Sequence, residues 1–137
     1  MEGDMLSYLT IGANDLAASS RFYDAVLIPL GYSRGDGKAY AQYYLEGVED
    51  RDNGPGTIDV MEPFDGQPAT PGNGMMPAFR APDAATVRQL HAAGIAAGGT
   101  DEGAPGTRDY YSPTFYVAYL RDPLGNKLSI FTVLDAQ

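Results

Sequence analysis

The chain has 137 residues, 44% of them hydrophobic, which suits one domain with its own core and is too apolar for a disordered segment. It has no cysteine and one histidine, His91, so disulfides, thiolate chemistry and cysteine-based zinc, haem or iron–sulfur centres are excluded, and a metal site would need mostly oxygen ligands. Eighteen acidic residues against nine basic ones give a formal net charge of −9, which repels phosphate backbones and anionic lipid, so neither nucleic acid nor a membrane is an expected partner.

Residues 5–11 are rich in apolar and β-favouring side chains and stop at Gly12, the pattern of a strand. Asn14 or Asp15 can then cap a helix whose apolar face is Leu16, Phe22, Tyr23, Val26, Leu27 and Leu30, ended by Pro29 and Gly31. Residues 32–34 and 39–45 read as hairpin arms turning at Gly35-Asp-Gly37, residues 46–56 as a polar, acidic loop, and residues 57–61 as an alternating strand. Residues 63–74 hold Pro63, Gly66, Pro68, Pro71, Gly72 and Gly74, the composition of a linker.

The plan then starts again. Residues 75–80 read as a strand that Pro77 confines to an edge or a ligand-facing position. Pro82-Asp83 opens a helix to about residue 97, marked by Val87, Leu90 and Ile95 and stopped by Gly98-Gly99. Residues 103–113 read as a Gly/Pro-rich loop of the kind that acts as a lid, carrying Tyr110-Tyr111. Residues 115–120 and 127–133 read as strands joined by the turn at 121–126. An offset of 68 residues superposes the halves: Tyr8 on Met76, Asp15 on Asp83, Leu27 on Ile95 and Gly31 on Gly99. An internal repeat is a fold-level signal. It predicts an α+β fold of two tandem βαβββ modules forming a curved, cup-like mixed sheet with the helices on its convex side. Module one covers about 5–62, the linker about 63–74 and module two about 75–134, in a single domain over 1–137.

The segments Leu9-Thr-Ile-Gly-Ala-Asn-Asp-Leu16, Arg21-Phe-Tyr-Asp-Ala-Val-Leu27, Pro63-Phe-Asp-Gly-Gln-Pro-Ala-Thr-Pro-Gly-Asn-Gly74 and Arg121-Asp-Pro-Leu-Gly-Asn-Lys127 together resemble the glyoxalase / bleomycin-resistance / extradiol-dioxygenase superfamily, also called vicinal oxygen chelate proteins. The superfamily hosts lyases, isomerases, dioxygenases and non-catalytic antibiotic binders, so the fold does not settle the activity. The resemblance implies a homodimer. It also implies where a metal would sit: two His on the first strand of each half and two Glu on the last, all on the concave face. Here the first-strand positions carry over to Tyr8 and Met76, the closing Glu to Ser129, and the fourth position to Asp59 or Met61.

A phenol, a thioether and a serine hydroxyl are poor ligands for Mn, Fe, Ni or Zn, so the expectation is no metal and no other cofactor. Strand parity puts Leu6, Thr10, Ala78, Arg80, Lys127 and Phe131 on the same face as Tyr8, Met76 and Ser129, while Leu9, Ile11, Phe79, Leu128 and Ile130 face the helices. The expected ligand-binding set is Tyr8, Thr10, Asp59, Met61, Met76, Arg80, Tyr110, Lys127, Ser129 and Phe131, with Arg80 and Lys127 placed to receive a carboxylate or phosphate, or else to be ordinary surface cations or members of ion pairs. His91 falls on the convex side.

The function expected is metal-independent binding of a small organic molecule in the cup. The alternative is a lyase, isomerase or dioxygenase-type enzyme, with or without a rearranged metal site, in which Asp59 is the base and Tyr8 the acid or oxyanion donor. The first residues, Met1-Glu-Gly-Asp4, lack a signal-peptide pattern and no run reaches the ~18 apolar residues of a membrane span, so the expected compartment is the cytoplasm.

Overall fold

The computed structural model describes residues 5–35 and 39–135. The tip of the first hairpin expected at Gly35-Asp-Gly37 lies partly outside the described residues. Strand β1 (Tyr8–Gly12) leads to helix α1 (Leu16–Leu27), which runs into a 3₁₀ turn (Ile28–Leu30). Strands β2 (Tyr32–Gly35), β3 (Ala41–Leu45) and β4 (Thr57–Met61) complete the first half. The second half is β5 (Ala78–Arg80), α2 (Ala84–Ala96), β6 (Thr100–Arg108), β7 (Ser112–Arg121) and β8 (Lys127–Val133).

The strands form two open four-stranded sheets of matching topology, β1-β4-β3-β2 and β5-β8-β7-β6. In each, the first strand pairs parallel with the last and the other pairs are antiparallel. The α+β fold and its two βαβββ halves therefore stand as the repeat predicts.

The caps follow from the sequence. Asp15 accepts from the Ala18 amide at 3.1 Å and Asp83 from the Thr86 amide at 2.8 Å. The Thr86 hydroxyl and amide hold the Asp83 carboxyl below its usual range. The first helix ends on Gly31 in the left-handed region (φ 107°), and its conformational counterpart in the second half is Gly98 (φ 104°) rather than Gly99. Gly99 answers a different need. A Cβ there would lie 2.8 Å from the Gly94 carbonyl oxygen and 2.9 Å from that of Arg121, so only hydrogen fits.

Four expectations need correction. The segment 103–113 is not a loop: its first part belongs to β6 and its last to β7, with Tyr110-Tyr111 at the hairpin turn. Pro105 and the glycines are tolerated because β6 is an edge strand whose register shifts at Gly103 and Gly106. Strand β1 starts at Tyr8, leaving Met5 and Leu6 exposed outside it. Strand β5 is confined to three residues after Pro77, so Met76 lies just outside it. Ile95 is not the partner of buried Leu27: it is 41% exposed, and Gly94 takes the inward place, with Phe22, Val26 and Leu120 close around it.

One core joins both halves. Phe22, Tyr23, Val26 and Leu27 of α1 and Val87 and Leu90 of α2 bury against Ile11, Tyr43, Val60, Phe79, Leu120, Leu128 and Ile130 from the sheets. The parity that sends Leu9, Ile11, Phe79, Leu128 and Ile130 toward the helices leaves the other face of each sheet for a site. Two polar devices tie the halves across the core. The Tyr23 hydroxyl donates to Asp122 Oδ2 at 2.7 Å, and Asn126 Nδ2 donates to the Gly12 carbonyl at 3.0 Å. Asn14 fastens the linker, donating to the Ala69 carbonyl and accepting from its amide. Among the described residues no helix is long and apolar enough to cross a membrane.

Candidate functional site

The ladder makes Asp59, and not Met61, the repeat counterpart of Ser129. Asp59 stands opposite Thr10 in the first sheet, as Ser129 stands opposite Ala78 in the second, and Thr10 and Ala78 are repeat partners. Asp59 and Ser129 are therefore equivalent, both buried, at 8% and 2% exposure. Met61 is two residues further on, where it lines a 480 Å³ cleft beneath the linker with Thr10, Phe64 and Pro68.

The face of the first sheet is polar. Gln42, opposite Asp59, is buried and donates from Nε2 to Asp59 Oδ1 at 3.1 Å. Tyr8 is half exposed, one step along β1 from Thr10. At the far side Arg51 lies over the Tyr44 ring, 4.0 Å from its centroid.

The face of the second sheet is aromatic and cationic. Ladder partners share a face, so Ala78, Arg80, Lys127, Ser129 and Phe131 join Phe115, Val117 and Tyr119 of β7. Phe115 and Phe131 lie 5.5 Å apart, Tyr111 meets Phe115 edge-on at 6.0 Å, and Tyr110 lies tilted against Tyr111 at 4.6 Å. Burial, with the nearby Tyr110 and Tyr111, raises the Tyr119 phenol above its usual range, so it is a hydroxyl donor at neutral pH. Met76, Tyr111, Ser112, Phe115 and Tyr119 line a hollow of 380 Å³.

The structure thus gathers Tyr8, Thr10, Asp59 and Met61 on one face and Arg80, Lys127, Ser129 and Phe131 on the other, with Met76 beside the latter. Thr10 and Lys127 both border a 170 Å³ cleft where the edges of the two sheets meet. Tyr110 stays at the rim, 76% exposed, and its neighbour Tyr111 enters the hollow instead. The sequence reading missed Gln42, Phe115 and Tyr119. Each was legible as the residue of inward parity in its strand, once the partner strand was fixed.

His91 lies on the helix side, where its Nε2 is 2.9 Å from Asp101 Oδ1. That contact and the Gly103 amide hold the Asp101 carboxyl below its usual range. Among the described residues no three His, Cys, Asp or Glu side chains cluster to suit a metal. The four positions that the resemblance assigns to ligands hold Tyr8, Asp59, Met76 and Ser129. One carboxylate with a phenol, a hydroxyl and a thioether is a poor set for a hard or borderline divalent ion, so these donors do not fit such a metal.

No protein-family model matches the sequence, and no curated protein does. Solved structures do. A glyoxalase/bleomycin resistance protein from Albidiferax ferrireducens is 41% identical, with a TM-score of 0.77 over 93% of this chain and 98% of that one. A glyoxalase/bleomycin resistance protein/dioxygenase family enzyme from Burkholderia phytofirmans is 25% identical, with a TM-score of 0.67 over 93% and 98%. A lactoylglutathione lyase from Agrobacterium tumefaciens, at 19% identity and a TM-score of 0.60 over 93% and 92%, shares the fold.

Proposed function

Because the chain belongs to the glyoxalase/bleomycin resistance/dioxygenase family, we propose that it binds a small organic molecule, without a metal ion, against the inward faces of its two sheets. The observation that carries this reading is the 380 Å³ hollow walled by Met76, Tyr111, Phe115 and Tyr119. Drug-sized ligands are held by such apolar and aromatic walls with a few polar anchors, and Ser112 and Tyr119 of its wall supply hydroxyls. Metal independence rests on the donor chemistry of Tyr8, Asp59, Met76 and Ser129. Sequestration needs shape and anchors only, so the loss of ligand residues costs such a protein nothing.

The same reading takes the protein as a cytoplasmic homodimer. Large exposed side chains, Met5, Leu6, Phe64 and Met75 among them, are the surface a second subunit would cover. Light scattering that gives the monomer mass at micromolar concentration contradicts the dimer.

A second reading, an acid–base lyase or isomerase, is favoured by one observation: Asp59 is buried on the inward face with Gln42 donating to it. Asp59 is then the base and Tyr8 the acid. Losing a metal from such chemistry removes stabilisation of an enolate that a tyrosine replaces only in part.

The test is native mass spectrometry of tag-free protein exposed to a metabolite extract and then dialysed against EDTA. The proposal expects a discrete mass increment, up to one per chain, that survives EDTA. An increment abolished by EDTA, or bare protein under every condition tried, refutes it.

A further inference from the structure

We infer that the hollow on the second sheet selects flat aromatic molecules that carry a carboxylate, with the rings of Tyr111, Phe115 and Tyr119 on its walls and, at its margin, Arg80 and Lys127, which lie over Phe131 and Tyr119, as charge partners. The inference deepens the ligand-binding reading above and rests on it.

Charge placement is the first observation. The chain carries two acids for every base, yet no acid stands at an inward position of β5, β7 or β8. Arg34, Arg51 and Arg121 each lie within 4.0 Å of a carboxylate, at Asp24, Asp52 and Glu102. Arg80 and Lys127 do not: among the described residues neither side chain makes an ion pair or a hydrogen bond. Arg80 rests over Phe131, 5.1 Å from the ring centroid, and Lys127 over Tyr119 at 5.0 Å. Arg108 also lies over Tyr119, at 5.4 Å, but its guanidinium is committed to the Ala104, Gly106 and Thr107 carbonyls. Two cations without carboxylate partners, beside three strands that carry no acid, are a complementary surface for an anion, and Glu102 of the neighbouring β6 is taken up by Arg121.

The second observation is the surface between them. Along β8 the order Lys127, Ser129, Phe131 puts a small hydroxyl residue between a cation and a ring, and Arg80 is the ladder partner of Phe131. Successive inward positions are ~7 Å apart, so a planar ligand seated in the hollow against Phe115 and Tyr119 has Phe131 with Arg80 toward one end and Lys127, over Tyr119, toward the other. The tilted pair Phe115–Phe131 offers a face for stacking. Cations already lying over rings need little reorientation to meet a carboxylate at the ring edge, which limits the ordering cost of binding.

The test uses three matched probes: 2-naphthoate, neutral 2-naphthamide and cationic 2-naphthylmethylammonium. Each is titrated calorimetrically into wild-type, Arg80→Gln and Lys127→Gln protein, all checked for folding by circular dichroism. Protein labelled at the methionine methyls reports location through Met76. The inference expects naphthoate to bind about tenfold more tightly than naphthamide, the cation to bind weakest, and the Met76 methyl signal to shift on binding. Either substitution narrows the naphthoate-to-naphthamide ratio by about threefold or more, and added salt narrows it in the wild type. Equal binding of naphthoate and naphthamide with Met76 still shifted, or an unchanged ratio in both variants, overturns the carboxylate preference and leaves the ligand-binding reading standing. Binding that leaves Met76 unmoved places the probe elsewhere and overturns this inference. No binding of any probe overturns this inference alone, because the metabolite experiment judges the broader reading separately.

Discussion

Replacing Asp122 by alanine should destabilise the fold by about 3–5 kcal/mol, because one buried carboxylate organises a turn and ties the two halves together. Asp122 is 2% exposed and accepts five hydrogen bonds. Oδ1 takes the amides of Leu124, Gly125 and Asn126 at 3.0, 3.0 and 2.9 Å, and Oδ2 takes the Tyr23 hydroxyl at 2.7 Å and Asn126 Nδ2 at 2.9 Å. Alanine leaves the wholly buried Tyr23 hydroxyl without this acceptor, a penalty of about 1–3 kcal/mol, and frees the turn that positions Asn126 against the Gly12 carbonyl. Gly125 keeps part of its bonding through the Asp122 main-chain carbonyl, which holds the total below a simple sum. Tyr23→Phe removes the orphaned hydroxyl and keeps the ring in its edge-on contact with Phe22. The double-mutant cycle should therefore show a coupling of about 1–3 kcal/mol between Tyr23 and Asp122. Urea unfolding of the four proteins, followed by circular dichroism, measures it. An Asp122→Ala cost below about 1 kcal/mol, or no coupling, refutes the reasoning.

Gly99→Ala should cost about 2–4 kcal/mol in the same assay, since its Cβ meets the Gly94 and Arg121 carbonyls; a neutral result contradicts the close approach. Asp101 has its carboxyl pKa lowered by His91 and the Gly103 amide, so its contribution is present above the unfolded-state carboxylate pKa and is lost as pH falls through the lower folded value. Wild type should thus lose more stability than Asp101→Asn between about pH 5 and pH 2, and parallel pH profiles contradict this. Asp59→Asn should leave retention of a captured ligand in native mass spectrometry unchanged within about threefold if the protein only sequesters, given that a neutral isostere keeps an acceptor for Gln42. Turnover of any identified substrate that collapses in Asp59→Asn moves the assignment to the acid–base enzyme.

Much of the fold is legible because its signals are local. The Asp15 and Asp83 caps, the strands Thr57–Met61 and Lys127–Val133 and the parity of Leu128 and Ile130 all follow from short-range patterns. Strand β6 is not legible, because Gly103, Pro105 and Gly106 argue against a strand and only an edge position with register shifts admits them. Ile95 misleads for a tertiary reason: Gly94 lets the Phe22 and Val26 side chains come close to α2, and no propensity encodes that approach. At the site, alternation puts Thr10, Lys127, Ser129 and Phe131 on the inward faces, but assigning Asp59 over Met61 needs the β1–β4 register. Gln42, Phe115 and Tyr119 depend likewise on the pairings of β3 and β7. The turn at 121–126 looks like a family signature in sequence; the structure gives its physical content, a carboxylate that closes the turn and receives Tyr23 from the other half.

The central claim is that this fold binds its ligand with the usual metal chemistry removed, and elemental analysis of protein purified without an affinity tag or chelator tests it most directly. One carboxylate among Tyr8, Asp59, Met76 and Ser129 predicts Ni, Zn, Mn and Fe each far below one per chain. A content of about one ion per chain, lost together with bound ligand on chelation, would contradict the account.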